Sequence, residues 1–360
     1  MTTTSQIGSV IPSRKAVQGT GRAEIHVFGA NVHFSELSYT YPLKLLSPRQ
    51  TTAARDEAAQ RVAILYNLTY GGGLIGGDRV ELSINIKPDA KLVLLTQGST
   101  KVFPSRPTPR LSSGTVQSTE GIQRHTVQRL AATVASSAFL VMLPDPVTPF
   151  RGASYSQTQV FRLAAPSSTK TGGSLLLLDW FTSGRMSRGE EWQFDRYRSV
   201  NEVWIGDRQV ACDALLLDQM EEKITTTASS IGGGIDSNLQ QQQQQKQRKD
   251  SQSRKLYRSL APYACYATVL MYGPCTRAVS DHLQSQYNQI TQMQRRTPPE
   301  PLIWSCSPLE GGSSSPAGVF DGNIVRVAGT ETDAVRRWLR EALRGLESQI
   351  GKDAYSKAFV

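Results

Sequence analysis

Histidine and cysteine are both scarce and scattered: four of each in 360 residues. Cys212, Cys265, Cys275 and Cys306 form no C-x-x-C, and His26, His33, His125 and His282 form no H-E-x-x-H. These absences speak against a structural zinc site, and at this length no disulfide framework is implied. Reduced cysteines in a cytoplasmic protein are the simplest expectation. Long apolar runs are missing too. The longest aliphatic run is 175–178, far short of the roughly 20 residues that a spanning helix needs. No secretory apolar segment stands at the start. No G-x-S-x-G occurs, so nothing suggests a hydrolase elbow.

Charge is also sparse, at 19% of residues, yet the net charge is +10. Half of that excess sits in one short tract, 246–258, with six basic residues and one acid. The rest is only mildly basic, which weakens a nucleic-acid reading.

An apolar content of 39% suffices for a sizeable core in one or two domains. Its period is mostly two. Val80, Leu82, Ile84 and Ile86 alternate with Glu81, Ser83 and Asn85, the pattern of a one-sided strand. Strands are expected at 24–30, 61–69, 91–97, 133–143, 156–164, 174–182, 198–206, 209–218, 265–272 and 323–329. Many strands without alternating helices predict a mainly-β fold. The clearest helix is 332–349, where Val335, Trp338, Leu339, Ala342, Leu343 and Leu346 form one stripe. Thr330 and Asp333 resemble a capping box, and Gly351 stands at its end. Helices are also expected at 278–293 and 51–60.

Residues 1–22 read as a disordered arm. Residues 222–258, with six consecutive glutamines and the basic tract, read as a disordered insertion, since so little apolar surface cannot repay the entropy of ordering. The β body then occupies 23–221 and resumes at 259–360 with the C-terminal helix.

Residues 66–86 read YNLTYGGGLIGGDRVELSINI. Gly71, Gly73 and Gly76 satisfy G-x-G-x-x-G, but dinucleotide binding needs a helix after the glycines. A period-two strand follows instead. The glycines predict a sharp corner with positive φ, which leaves Asp78 unexplained. Asp179 stands between Leu175–Leu178 and Trp180, and Asp213 lies beside Cys212, Ala214 and Leu215. A buried carboxylate needs a partner or a metal. Either Arg185, Arg188, Arg196 and Arg198 supply that partner, or the carboxylates mark a polar ion path.

Six blocks, in order, resemble one family. They are YPLKLLSPR (41–49), LYNLTYGGGLIGGDRVELSINI (65–86), LLTQGSTKVF (94–103), LPDPVTPFRGA (143–153), LLLLDWFTSGRMSRGEEWQF (175–194) and RSVNEVWIGDR (198–208). Together they are similar to the UreD (UreH) urease accessory proteins, and the glutamine-bearing insertion suggests a eukaryotic, fungal-type member. The resemblance implies a β-helix-like stack of sheets with few peripheral helices. It implies a protein that is not an enzyme and uses no organic cofactor. Such a protein binds apo-urease, recruits a UreF-type helical protein and a UreG-type GTPase, and is dimeric within that complex. Nickel passes in transit along an internal polar path. Carried onto this chain, that path selects Asp78, Asp179, Asp213, Ser99, Thr100 and Glu190, with Lys101 and Arg185 as counter-charges. The rival reading is a β-rich binding module with no metal role.

Overall fold

A computed structural model describes residues 17–29, 31–48, 62–105, 125–219, 256–290, 300–309 and 322–359. The expected helix at 51–60 lies outside them, as do most of the N-terminal arm and of the insertion. Strand β1 starts at Thr20, inside the expected arm, and a helical turn over 256–260 takes the end of the expected insertion.

In chain order the early strands are β1 (Thr20–Phe28), β2 (Asn31–Tyr39), β3 (Leu43–Leu46), β4 (Val62–Thr69), β5 (Gly73–Leu74), β6 (Arg79–Ile86), β7 (Lys91–Leu95) and β8 (Thr100–Val102). There follow β9 (Thr126–Val134), β10 (Phe139–Met142), β11 (Val147–Pro149), β12 (Ser154–Leu163), β13 (Ser174–Thr182), β14 (Gly184–Arg185), β15 (Glu190–Glu191), β16 (Arg196–Ile205) and β17 (Arg208–Asp218). The last are β18 (Cys265–Tyr272), β19 (Leu302–Pro308) and β20 (Asn323–Gly329). The helices are α1 (Arg277–Asn288), α2 (Thr332–Ala342), α3 (Glu347–Ile350) and α4 (Lys352–Ala358).

Among the described residues, one sheet runs β17-β16-β12-β9-β6-β1-β2. A second runs β19-β20-β18-β13-β10-β7-β4-β3, with β5, β8 and β11 attached. From β6 to β16 the main strands alternate between the sheets. Neighbours β6, β9, β12 and β16 pair in parallel in the first sheet, and β4, β7, β10 and β13 do so in the second. This winding is the β-helix-like stack that the resemblance implies, in a chain that is mainly β as its periodicity predicts.

Two apolar layers hold it together. Between the sheets lie Leu82, Ile84, Leu92, Leu94, Leu140, Leu175, Leu177 and Phe161. On the outer face of the second sheet, Val93, Leu95, Val141, Leu176, Leu178 and Trp180 pack against Leu283 of α1 and Val335 and Leu339 of α2. The four-leucine run of β13 is thus buried on both faces, as central strands of covered sheets are.

Several boundaries move. The run 133–143 is two strands, not one. Ser137 turns with φ 58°, so β9 ends in the first sheet and β10 begins in the second. The expected helix 332–349 breaks after Ala342 into a 3-10 turn, Arg344–Leu346, and then α3. Gly345 lies inside that turn, where a Cβ would sit 3.0 Å from Val279 of α1. The capping box does not form. Glu331 occupies the cap position without a side-chain bond, because Thr330 Oγ1 donates to the Pro301 carbonyl. Gly351, at φ 80°, ends α3 as expected.

Candidate functional site

The glycine block is a corner. Gly71 and Gly72 adopt φ of 80° and 73°, which L side chains rarely adopt. Gly76 is needed for a different reason: a Cβ there would lie 2.3 Å from Ser105 Cα. Asp78 closes the corner, its Oδ2 accepting from the Ile75 amide at 2.8 Å. A strand follows directly, so the turn lacks the helix that a phosphate site requires.

Asp179 lies elsewhere, on the inward face of β13 between the sheets. Its carboxylate accepts from Ser199 Oγ (2.6 Å), Asn201 Nδ2 (2.8 Å) and Gln157 Nε2 (3.2 Å). Gln157 in turn accepts from the Tyr155 hydroxyl at 3.0 Å. The donors are neutral amides and a hydroxyl from β12 and β16, not the expected arginines. Arg185 is engaged with Glu190 instead, through two bonds of 2.7 and 2.6 Å, and lies over the Phe150 ring. Burial pushes the Asp179 carboxyl above its usual range, against the pull of its three hydrogen bonds, and the nearby Asp213 charge adds to the rise. Two more oxygens are buried close by. Gln159 Oε1 and Asn201 Oδ1 have no hydrogen-bond partner among the described residues.

Asp179, Gln157 and Gln159 open onto a cavity of about 230 Å³. Gln157, Gln159 and Asp179 line its buried part, and Asn67, Thr96, Gln97, Gly98, Ser99 and Thr100 line the part towards the surface. The loop 96–99 connects β7 to β8 and exposes Gln97 and Gly98. Asp213 extends the polar row. It faces Asn201 across the β16–β17 pair, and its Oδ1 meets Arg326 Nη2 at 2.8 Å.

Four of the six candidate positions therefore fall along one polar row: Ser99 and Thr100 on the cavity wall, Asp179 inside, Asp213 beyond. Asp78 and Glu190 lie apart from the cavity lining. The Glu190 carboxyl is held below its usual range by its Arg185 hydrogen bonds. Lys101 is exposed on β8, so neither it nor Arg185 serves as counter-ion to Asp179. The sequence does not predict the polar residues that β12 and β16 place around Asp179. Gln157, Gln159, Ser199 and Asn201 are inward-facing polar residues at spacing two, a signal present in the alternation of those strands. Among the described residues no three His, Cys, Asp or Glu side chains group as a metal site. No described helix is long and apolar enough to cross a membrane.

Comparisons with known proteins converge. The family model described as "UreD urease accessory protein" matches residues 18–235. The chain is 36% identical to "Urease accessory protein 4" of Cryptococcus neoformans var. grubii, over 94% of each chain. It is 27% identical to "Urease accessory protein D" of Oryza sativa subsp. indica, covering 94% of this chain and 96% of the relative. It is 31% identical to "Urease accessory protein UreD" of Sorangium cellulosum, covering 88% and 76%. The expectation of a fungal-type member agrees with the fungal relative among these. With its glycine corner, parallel winding and matched sequence, the chain belongs to the UreD family of urease accessory proteins.

Proposed function

We propose that this chain is a non-catalytic scaffold for urease maturation that also gives nickel a route through its interior. It binds apo-urease, brings a UreF-type helical protein and a UreG-type GTPase to it, is dimeric within that assembly and works in the cytoplasm. Nickel is its cargo, and no organic cofactor takes part. One observation carries the route: a half-buried carboxylate between two sheets, on the wall of a cavity, near two buried oxygens that have no hydrogen-bond partner among the described residues. Three neutral donors orient Asp179 but leave its charge uncompensated, and that is the condition a passing cation relieves.

The donor set suits transit. Carboxylate, amide and hydroxyl oxygens hold Ni²⁺ less firmly than imidazole or thiolate does. The route uses Ser99, Thr100, Asp179 and Asp213. Asp78 and Glu190 support it from outside, one by fixing the glycine corner and the other by pinning the hairpin after β13.

The test is urease activation in cells that supply the other accessory proteins, with and without this chain, with the nickel content of purified urease measured. Activation that is independent of the chain overturns the scaffold. Activation that survives Asp179→Asn with full nickel content leaves the scaffold and removes the route.

A further inference from the structure

A second carboxylate lines the same cavity, on its surface side. Asp145 lies in the Leu143–Pro146 segment between β10 and β11 and lines the cavity beside Thr96 and Gly98. Its Oδ2 accepts from the Gly98 amide at 2.9 Å, and its own amide donates to Thr96 Oγ1 at 2.7 Å. Its Oδ1 faces Arg336 Nη2 at 3.2 Å, with side-chain exposures of 16% and 28%. Arg336 belongs to α2, on the outer face of the second sheet. The guanidinium lies 5.9 Å from the Trp180 ring centre, and Trp180 also lines the cavity.

Asp145 thus differs from Asp179 in one respect. Among the described residues Asp179 hydrogen-bonds only neutral groups, whereas Asp145 has a cation at hand on a long side chain. Burial raises the Asp145 carboxyl and the Arg336 charge opposes that rise.

We propose that Asp145 is the first carboxylate that a divalent cation meets at the cavity, and that Arg336 is a resident counter-ion which the cation displaces. The proposal rests on the nickel route described above. A carboxylate at the rim must be charged to draw a cation, yet an uncompensated charge there is costly. Arg336 neutralises it while the rim is vacant. A doubly charged ion at the same separation attracts the carboxylate about twice as strongly as a guanidinium does. Once displaced, the guanidinium keeps the Trp180 face as an alternative partner. Thr96, Ser99 and Thr100 add neutral oxygens beside it.

The experiment is a nickel titration of urease activation in cells expressing the full chain, with the thermal midpoint of each purified variant. Asp145→Asn keeps the shape and the acceptor for Gly98, and is expected to raise the nickel concentration for half-maximal urease loading several-fold. Arg336→Gln is expected to lower it. If the pair is only a structural ion pair, both variants shift the nickel concentration for half-maximal loading in the same direction, and that result overturns the proposal. Should Arg336→Gln fail to fold, Arg336→Met keeps the apolar stem and carries the same expectation. An unshifted Asp145→Asn beside an impaired Asp179→Asn overturns the rim role and leaves the route standing. An unimpaired Asp179→Asn removes the route and the proposal together.

Discussion

Asn201 stands opposite Asp213 across the β16–β17 pair and donates its amide to Asp179 Oδ2 at 2.8 Å. One neutral side chain therefore bonds to one carboxylate and stands at the strand position opposite the other. Asn201→Ala removes a donor from Asp179, pushes its carboxyl further up, and costs about 1–2 kcal/mol. Nickel loading of urease is expected to fall. Asn201→Ser, which keeps an oxygen in the row, should recover part of it. Equal loading by wild type and Asn201→Ala would show that the row is not used.

Asp179→Leu and Asp179→Asn should part company. Leucine leaves the Ser199 and Asn201 donors without their acceptor, at about 1–3 kcal/mol each. Urea denaturation should register that loss. Asparagine keeps the shape and one acceptor oxygen, so it should fold and still lower nickel loading. A fully loaded urease with Asp179→Asn counts against the carboxylate.

The same residue sets a pH dependence. Burial holds Asp179 above its ordinary range, so the folded protein keeps a proton that the unfolded chain releases. Stability then falls as pH rises from about 4 through the folded-state value, and Asp179→Asn lacks that fall. The thermal midpoint of wild type minus that of Asp179→Asn should shrink from the acid end of this window towards neutral pH. A constant difference would contradict the burial.

Two glycines of the corner should respond differently. Gly76→Ala drives a Cβ into the Ser105 backbone, an overpacking cost of about 1–3 kcal/mol. Gly71→Ala meets nothing within 4 Å but holds φ at 80°, a strain of about 1–2 kcal/mol. Amide exchange should therefore show local loosening at Ser105 for Gly76→Ala alone.

Leu339 of α2 is fully buried against the second sheet. Leu339→Ala should cost about 2–5 kcal/mol, read from the urea midpoint. A loss under 1 kcal/mol would mean that α2 is only loosely docked.

Strand sequence was legible where apolar alternation or a continuous apolar run had no competitor. Strands β13, β18 and β20 fall at their expected residues. β2 escaped notice because it is mostly exposed and carries little apolar contrast. Asp179 stood out because a carboxylate among leucines is costly. Asp145 did not, because a Pro-Asp-Pro segment reads as an ordinary turn. Its partner, Arg336, lies almost two hundred positions further on, and no local pattern links the two. The hydrogen bonds to Asp179 were equally hidden. They come from strands of the opposite sheet, and pairing between sheets leaves no spacing in the chain.

The parallel winding has a consequence for distance. Leu65, Leu94, Met142, Leu177, Leu270 and Ile324 fall in one lateral row across β4, β7, β10, β13, β18 and β20. Five strand spacings of about 4.8 Å make that row roughly 24 Å long. It runs across the strands, so every step passes from one hydrogen-bonded backbone to the next. The wall that this row forms crosses the width of the sheet and cannot lengthen or slacken. The two surfaces it joins are held at a fixed separation, whatever binds at either end.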